Sequence, residues 1–243
     1  MVIVLEGVDC VGKSTQAGLL ATHFRNAVVA RHPGFTPTGQ RLREIVLDEG
    51  LEDCDLAARL LFWADHLITA SLLKKSGSDG IIVFDRHPFY SNLAYGTALG
   101  TERRILNELA EVLRGTWVVP DLTIVLDVPI SVVAERLRTK TGRPDAIESR
   151  GLEYLQRVRQ NYLQMVHYRS EVVVVAADRP KEAVHQSVLK LIESTERSER
   201  ASIYGRILCQ YCDEFMSRRE IGDEAWYVCM ACGEVVCIPL SER

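Results

Sequence analysis

The sequence lacks an excess of basic residues, a long uninterrupted apolar run and an N-terminal targeting pattern. Its 29 Lys and Arg residues are outnumbered by 33 Asp and Glu residues, which gives a formal net charge of −4. A negative chain has no overall field that would draw it onto nucleic acid. The absence of an apolar run of membrane length predicts no membrane span, and the immediate start in a strand pattern predicts no signal peptide. These absences favour a cytoplasmic protein.

Cysteine is scarce over most of the chain and concentrated near its end. Of seven cysteines, Cys10 and Cys54 are scattered, and five lie between residues 209 and 237. Four of these form two CxxC pairs separated by sixteen residues: Cys209 with Cys212, and Cys229 with Cys232. This spacing is typical of a tetrahedral Zn²⁺ site with four thiolate ligands. A metal-free segment is the weaker alternative, and Cys237 is expected to be a buried free thiol.

A phosphate-binding motif stands at the start of the chain. Residues 7–14 read GxxxxGKS, directly after an apolar strand pattern and before a helical one. Gly7 and Gly12 allow a tight wrap of the backbone, so that N–H groups can approach a polyphosphate closely. The following helix directs its partly positive N-terminus at the same phosphates. The ATP-binding residues predicted from this loop are Gly7, Val8, Asp9, Cys10, Val11, Gly12, Lys13, Ser14 and Thr15.

The pattern of strands and helices predicts an α/β fold. Five short apolar runs without polar alternation, at residues 2–5, 27–30, 81–84, 122–127 and 172–175, are separated by helical patterns. Such runs predict a five-stranded parallel sheet with helices on both faces. We expect a nucleotide-kinase domain over residues 1–196, a polar linker over 197–206 and a small zinc ribbon over 207–243. The ribbon is too short for an apolar core of its own, so zinc is expected to stabilise its fold.

Polar residues follow the ends of several predicted strands. The phosphate-binding loop, Arg31, the pair Asp85-Arg86 and Asp127 all occupy such positions. In an open parallel sheet, ligands bind at the carboxyl ends of the strands. The sequence therefore predicts that these residues meet in one site.

Several motifs, taken in order, resemble the thymidylate kinase family, and the resemblance covers roughly residues 2–192. Residues 31–37 (RHPGFTP) resemble the family's REPGGTP, and residues 60–66 (LLFWADH) resemble LLFAADR. Residues 85–87 (DRH) match the family's DR[YH] signature. The other segments that carry the resemblance are residues 5–16, 91–95, 120–129 and 151–155. The cysteine-rich segment is not a usual part of this family.

The resemblance implies transfer of the ATP γ-phosphate to a deoxynucleoside monophosphate, usually dTMP, with Mg²⁺ as the metal. Catalytic roles fall to Asp9, Lys13, Arg86 and Arg143, the last from a lid. Magnesium would be held by Ser14 and, through water, by Asp85. The resemblance implies seven substrate-binding residues: Asp9, Arg31, Phe62, His66, Arg86, Asn92 and Tyr95. Among these, Phe62 would stack on the base, and Arg31 and Arg86 would clamp the acceptor phosphate.

The sequence departs from the family at several of these positions. His66 stands where the family usually has an arginine that contacts the base. A kinase for another acceptor, such as dUMP or another dNMP, is therefore an alternative hypothesis. One extra residue separates Arg86 from Ser91, so Asn92 and Tyr95 need not fall where the family places them. Ala146 replaces an arginine common in lids, which leaves Arg143, with Arg138 or Lys140 as substitutes, to supply positive charge.

An alternative function and the oligomeric state remain to be considered. The fold could serve as a nucleotide-dependent switch, with the ribbon binding DNA, RNA or a protein. However, residues 201–243 contain four Arg, no Lys and seven Asp or Glu, which argues against nucleic acid as the partner. A homodimer through helices that include the Leu60 region is expected by resemblance only.

Overall fold

The computed structural model describes the chain except for residues 52–54, 77–79, 114, 141–147, 168, 202–216, 222–223, 229–234 and 240–243. It divides into two compact units, residues 1–189 and residues 190–243. The four predicted zinc ligands Cys209, Cys212, Cys229 and Cys232 lie outside the described residues, and so do Cys54, Arg143 and Ala146.

The first unit is built on a five-stranded parallel sheet, as predicted. Its strands are β1 (Val2–Glu6), β2 (Val28–Arg31), β3 (Ile82–Asp85), β4 (Leu122–Asp127) and β5 (Val172–Ala176), in the order β2-β3-β1-β4-β5. The central strands are mostly apolar because both faces of the sheet are covered. Ile3, Val4 and Leu5, for example, have no exposed surface.

Helices connect the strands of this sheet. Their bounds are α1 (Lys13–His23), α2 (Pro37–Glu44), α3 (Asp55–Ser76), α4 (Pro88–Ser91), α5 (Arg103–Val112), α6 (Ile130–Thr139), α7 (Leu152–Met165) and α8 (Lys181–Ala201). Two π-helical turns, Ile45–Gly50 and Asn92–Gly96, continue α2 and α4, and a 3₁₀ turn spans Glu148–Arg150. Sequence patterns predicted most of these helices within a few residues, but they did not predict the π-helical turns.

Helix α3 corrects one expectation from the sequence. The stretch Asp55–Lys75 has a mean hydropathy of 1.3 and is long and apolar enough to cross a membrane by composition alone. A helix at the core of a globular fold passes the same test, and 44% of this stretch is buried within the protein. It also carries the fully buried polar residues Asp65 and His66. The composition of α3 is therefore weak support for a membrane span.

The second unit contains a three-stranded antiparallel sheet. Its strands are β6 (Ser217–Ile221), β7 (Glu224–Val228) and β8 (Val235–Pro239), in that order. Cys237 lies on β8, opposite Trp226 on β7. Helix α8 continues to Ala201, so the first five residues of the linker predicted over 197–206 are helical.

Candidate functional site

The register of the parallel strands brings the predicted site residues to one edge of the sheet. Leu5 on β1 pairs with Asp85 on β3, and Arg31 on β2 pairs with the same residue. The backbone continues this alignment beyond the strands, since Arg86 N donates to Leu5 O at 3.0 Å and His32 N donates to Asp85 O at 2.9 Å. The loop after β1, the end of β2 and the end of β3 are therefore neighbours.

The loop after β1 has the backbone that its glycines predict. Gly7 has φ +130°, and a Cβ there would collide with the carbonyl oxygen of Leu126. Gly12 has φ 104° and caps helix α1, which begins at Lys13. Cys10 also adopts a positive φ, 63°. The side chains of Val8 and Val11 are buried, so the loop presents mainly backbone to the solvent.

The ammonium group of Lys13 lies inside the loop. Its Nζ donates to Gly7 O at 3.1 Å and to Val8 O at 2.6 Å. Burial, reinforced by the positive charge of Arg86, lowers the pKa of Lys13 to about 8. The side chain is 7% exposed. A buried cation enclosed by a loop of backbone amides is suited to a polyphosphate.

Ser14 and Asp85 form a pair of oxygen ligands beside this cation. Ser14 Oγ donates to Asp85 Oδ2 at 2.6 Å, although 71 residues separate the two in sequence. A hydroxyl and a carboxylate are the hard oxygen donors that Mg²⁺ prefers. The donor set therefore fits the predicted magnesium site.

Arg86 connects the loop to the other side of the site. Its Nη2 donates to Asp9 Oδ1 at 2.6 Å and to the Tyr95 hydroxyl at 3.0 Å, and its Nη1 donates to Gly7 O at 3.2 Å. Arg86 adopts a left-handed backbone with φ 77°, which costs about 1–3 kcal/mol in a non-glycine residue. These contacts over-determine the conformation and sustain it.

The charges around Arg86 fix its ionisation and that of Asp9. Burial alone would lower the pKa of Arg86, but Tyr95 and the Asp9 carboxylate hold it well above its usual value. Burial likewise opposes ionisation of Asp9, yet Arg86 and Lys13 keep the pKa of that carboxyl below its usual value. The pair is therefore charged at neutral pH.

Glu6 forms a buried support beneath Arg86. Its carboxylate accepts from His87 N at 2.8 Å, from Ser91 Oγ at 2.9 Å and from the Tyr162 hydroxyl at 2.7 Å. Burial raises the pKa of Glu6, although Arg86 and these donors oppose the rise. The network ties the end of β1 to α4 and α7, which fixes the floor of the site.

A cavity of about 370 Å³ opens over these groups. It is lined by Asp9, Cys10, Gly12, Lys13, Ser14, Thr15, Arg31, His32, Pro33, Arg43, Leu47, Arg59, Phe62, Asp85, Arg86, His87, Pro88, Ser91, Tyr95 and Lys140. The structure thus brings together most of the predicted site residues. Phe62 and Arg31 both line the cavity, and Tyr95 reaches Asp9 with its hydroxyl at 3.2 Å.

Two predicted substrate residues, His66 and Asn92, do not line this cavity. His66 is fully buried, and both of its ring nitrogens have protein partners. Asn92 accepts from Arg59 Nη1 at 3.5 Å and donates to Arg59 O at 3.3 Å. Direct contact between either side chain and a ligand in the cavity is therefore not supported by this geometry.

His66 belongs instead to a directional chain of hydrogen bonds. Val118 N lies 3.3 Å from His66 Nε2 and must donate, so His66 Nδ1 carries the hydrogen. That hydrogen is directed at His32 Nε2 at 3.3 Å, and His32 Nδ1 then donates to Asp65 Oδ2 at 2.6 Å. Burial, with His87 and His32 nearby, lowers the pKa of His66 well below its usual value. A neutral imidazole thus supports His32 from behind.

The lid is only partly described. Arg143 lies outside the described residues. Of its two substitutes, Lys140 lines the main cavity, whereas Arg138 lines a second one with Leu137 and Leu152. Among the described lid residues, Lys140 is therefore better placed to face the site.

Sequence reasoning missed several residues that line the cavity, chiefly Arg59, Arg43, Ser91 and His32. A signal for Arg59 was present, since Asp55, Arg59, Phe62 and His66 follow one another at helical spacing. His32 lies in the segment of the family motif 31–37, where a glutamate is usual. Arg43 lies on α2 without any motif around it.

The comparisons with known proteins identify the family. The thymidylate kinase family model matches residues 5–188. The chain belongs to the thymidylate kinase family. It is therefore an ATP-dependent nucleoside monophosphate kinase, and the predicted phosphoryl transfer from ATP to dTMP is confirmed by this membership.

The alignments with known relatives cover nearly the whole length of those relatives. A probable thymidylate kinase of Thermococcus kodakarensis is 34% identical over 206 residues, which cover 80% of this chain and 98% of that protein. Thymidylate kinases of Fervidobacterium nodosum and Campylobacter jejuni are 31% and 32% identical, and the aligned residues cover 80% and 79% of this chain and 99% and 100% of those proteins. About a fifth of this chain therefore falls outside these alignments.

A solved structure supports the fold. The thymidylate kinase of Candida albicans superimposes with a TM-score of 0.66 at 24% identity, over 80% of this chain and 92% of that one. Among the described residues, no group of three or more His, Cys, Asp or Glu side chains is placed to hold a metal. The four predicted zinc ligands lie outside the described residues.

Proposed function

We propose that this chain transfers the γ-phosphate of ATP to dTMP through the residues that line the cavity. The observation that carries the proposal is the meeting of two charged groups in one space. Lys13 lies beside the Ser14–Asp85 pair. Arg86, held by Asp9 and Tyr95, donates to the same Gly7 carbonyl as Lys13, so the two cations are neighbours. A donor phosphate on Lys13 and an acceptor phosphate on Arg86 would therefore lie next to each other in the cavity.

We call residues 7–15 with Asp85 the donor half of the cleft. Here the loop amides and Lys13 hold the β- and γ-phosphates, because backbone N–H groups and a buried cation are suited to dense negative charge. Ser14 and Asp85 would hold Mg²⁺, which neutralises charge on those phosphates when bound. Lys13 stays beside the oxygen that bridges the β- and γ-phosphorus atoms, where negative charge develops during the transfer.

We call Arg31, Arg43, Arg59, Phe62 and Tyr95 the acceptor half, with Arg86 at the junction of the two. Arg31 and Arg86 clamp the acceptor phosphate, since guanidinium groups donate pairs of hydrogen bonds to phosphate oxygens. An oxygen of that phosphate attacks the γ-phosphorus, and the bond to the β–γ bridging oxygen breaks. The departing ADP carries the resulting charge.

Asp9 and Tyr95 orient this machinery. Asp9 holds the Arg86 guanidinium at 2.6 Å, so the fork is fixed before the acceptor arrives. Tyr95 packs against the sugar and is positioned by its hydrogen bond to Asp9 at 3.2 Å. Arg143, or Lys140 at the rim of the cavity, supplies the further positive charge over the transferring phosphoryl group.

The test is a coupled ATP-turnover assay with Mg²⁺ and a panel of acceptors: dTMP, dUMP, dCMP, dGMP, UMP and CMP. We expect dTMP to have the highest kcat/KM. A clear preference for another monophosphate would replace the acceptor in this proposal. Tight ATP binding without turnover of any acceptor would favour the nucleotide-dependent switch instead.

We also propose a structural Zn²⁺ held by Cys209, Cys212, Cys229 and Cys232. The register of the small sheet supports it, because Ser217 opposes Val228 and Val228 opposes Val235. The start of β6, the end of β7 and the start of β8 therefore share one end of the sheet. In sequence, Cys212 precedes β6 by five residues, Cys229 directly follows β7, and Cys232 precedes β8 by three residues. These positions are what two ligand pairs of one metal site require.

Metal analysis of the purified full chain tests the zinc proposal. We expect about one zinc ion per chain, since four thiolates complete one tetrahedral site. The double substitution Cys209→Ala/Cys212→Ala should remove the metal and leave ATP binding intact. The matched control, Cys237→Ala, should retain it. A metal-free native protein would exclude the site.

A homodimer through α3 is proposed on a third observation. Leu56, Leu60, Ile68 and Leu72 are large apolar side chains that are 37–49% exposed, and their numbers differ by multiples of four. This spacing places them along one inclined i, i+4 row of side chains on the helix surface. Light scattering should report a dimer that Leu60→Glu/Leu72→Glu converts to a monomer. Val112→Glu, on an exposed apolar residue of α5, should not.

A further inference from the structure

Arg59 is a buried cation that lines the cleft and belongs to none of the sequence motifs named above. It lies on α3, three residues before Phe62, and only 3% of it is exposed. Both side chains line the cavity, and the Arg59 guanidinium carbon lies 5.4 Å from the centre of the Phe62 ring. A buried arginine on a ligand cavity needs a physical account, because burying a charge is costly unless its hydrogen bonds are made.

The partners of Arg59 leave part of its donor capacity unused. Nε and Nη2 both donate to Asp55 Oδ1, at 3.0 and 2.6 Å, and Nη1 donates to Asn92 Oδ1 at 3.5 Å. A guanidinium has five N–H donors. Within the described part of the chain, these contacts use three of the five. Two N–H donors remain for a ligand in the cavity that Arg59 lines.

The guanidinium is held rigidly in this position. The second oxygen of Asp55 accepts from Thr101 Oγ1 at 2.6 Å, so the carboxylate is fixed from both sides. Asn92 in turn donates to the backbone carbonyl of Arg59 at 3.3 Å. A donor group whose orientation is set before a ligand binds discriminates strongly between ligands, since it does not rearrange to suit the wrong one.

The contacts of Arg59 separate it from the phosphate end of the cleft. Arg86 contacts the phosphate-binding loop at Gly7 and Asp9, whereas the partners of Arg59 named above lie on α3 and on the π-helical turn. The flat neighbour of Arg59 is the aromatic ring of Phe62. A planar base that packs against Phe62 would present its edge to the Arg59 fork.

We propose that Arg59 reads the carbonyl edge of the acceptor base and selects keto pyrimidines over amino pyrimidines. A guanidinium only donates hydrogen bonds, so it pairs with the C4 carbonyl oxygen of thymine or uracil. It cannot pair with the amino group at C4 of cytosine, which would leave donor facing donor in a buried site. This inference rests on the proposed dTMP kinase function and adds the residue that selects the base.

The first experiment leaves the protein unchanged and compares dTMP with 5-methyl-dCMP. These acceptors share the sugar, the phosphate and the methyl group and differ only at C4 and in the hydrogen on N3. We expect kcat/KM to be at least about 100-fold higher for dTMP, since a site built to pair a polar group rejects the analogue that cannot pair. Equal turnover of the two acceptors would overturn the inference.

The second experiment is the substitution Arg59→Gln, assayed with both acceptors. We expect kcat/KM for dTMP to fall about 10–100-fold, from loss of hydrogen bonds to a charged donor. With 5-methyl-dCMP we expect a change of less than about threefold, and the dissociation constant of ATP should not change. A parallel fall for both acceptors would show a merely structural or phosphate-binding role and would overturn the inference.

Matched variants guard this result. Arg104 is an exposed arginine that, like Arg59, forms an ion pair one helical turn away, here with Glu108 at 2.7 Å. Arg104→Gln should change neither the kcat/KM for dTMP nor the kcat/KM for 5-methyl-dCMP. Arg59→Lys keeps the charge and most of the volume but loses the planar fork. It should reduce the dTMP preference at least tenfold while preserving the melting temperature, so it decides the matter if Arg59→Gln fails to fold.

Failure of the inference and failure of the proposed function give different results. A wild-type protein that phosphorylates dTMP and 5-methyl-dCMP equally keeps the kinase function and loses the role of Arg59. A wild-type protein that turns over neither acceptor contradicts the proposed function. In that case, equilibrium binding of the two nucleotides still tests the inference, because equal dissociation constants would overturn it.

Discussion

The donor half and the acceptor half of the cleft are built in opposite ways. The donor half is a single run of residues, 7–15, completed by Asp85, and it presents mainly backbone amides. The acceptor half uses side chains from the end of β2, from α2, from α3 and from the π-helical turn after α4. A site made of backbone leaves a readable motif in the sequence, because it needs glycines at fixed spacing. A site made of distant side chains leaves none.

The difference appears in the outcome of the predictions. Every donor-half residue was named from the sequence, and the structure gathers Lys13, Ser14 and Asp85 around one point. In the acceptor half, two named residues, His66 and Asn92, are turned to protein partners, and Arg59 lines the cavity in their place. Four measurements test whether the two halves differ in this way.

The largest effect is expected from Lys13→Met in the donor half. Loss of the buried cation should reduce kcat/KM about 10³-fold for every acceptor, since the charge it meets belongs to ATP in each case. Steady-state kinetics with dTMP and dUMP check this. The control is Lys75→Met at the exposed end of α3. A loss that differed tenfold between acceptors would contradict the division into halves.

Gly39→Ala should damage the acceptor half selectively. A Cβ at Gly39 would collide with Asp65 Oδ1, and Asp65 holds His32 at 2.6 Å. Crowding of this kind costs about 1–3 kcal/mol of stability. Urea unfolding should show that loss, and kinetics should show a higher KM for dTMP with unchanged ATP affinity.

Gly18→Ala is the matched control for this substitution. It adds the same methyl group to α1, where no atom lies within 4 Å of the new Cβ. It should stabilise the protein by roughly 0.5–1 kcal/mol, because alanine is the better helix former. An equal loss in both variants would refute the proposed collision.

The donor half should also respond to pH through Lys13. Its pKa is lowered to about 8, so the free protein loses this charge as the pH rises above that value. ATP binding must then restore the proton, and the affinity should fall by about tenfold per pH unit above the pKa. Titration of ATP at pH 7–10 checks this. Lys13→Arg stays charged and should lack the slope, whereas the same slope in both proteins would assign it to another group.

The last prediction concerns acid stability beneath the acceptor half. Burial, with His32 nearby, lowers the pKa of His87 to about 3, well below the value near 6.5 in an unfolded chain. Between these values the unfolded state binds a proton that the native state does not. Stability should therefore fall by about 1.4 kcal/mol per unit as the pH drops from 6.5 towards 3.

Urea unfolding of His87→Asn at pH 6.5, 5.5 and 4.5 isolates that contribution. Asparagine preserves a capping acceptor for α4 and removes the titrating ring, so the slope should decrease by this amount. The exposed His167→Gln should keep the wild-type slope. If His87→Asn kept it too, His87 would not be the group responsible.

The parallel sheet, the donor half and the family can all be recognised from the amino-acid sequence. Apolar runs such as Val2–Glu6 form buried parallel strands wherever helices separate them, and the carboxyl ends of such strands meet at one edge. Gly7 and Gly12 both adopt a positive φ, which glycine allows, so the backbone conformation of the loop is visible as glycines at fixed spacing. These features appear as patterns of residue type along the chain, even though the close approach at Gly7 involves Leu126 on β4.

Which side chains enter the acceptor half depends on tertiary contacts and cannot be read from the sequence. The π-helical turn Asn92–Gly96 follows α4, and a π-helical turn accommodates additional residues and changes which side chains face a neighbour. Asn92 is thereby placed to hydrogen-bond Arg59 on α3. His66 is buried in the core, where it hydrogen-bonds His32. Whether a polar side chain on α3 faces the ligand or the protein depends on the partners that other segments bring to it, and those partners are set by packing over long distances in sequence.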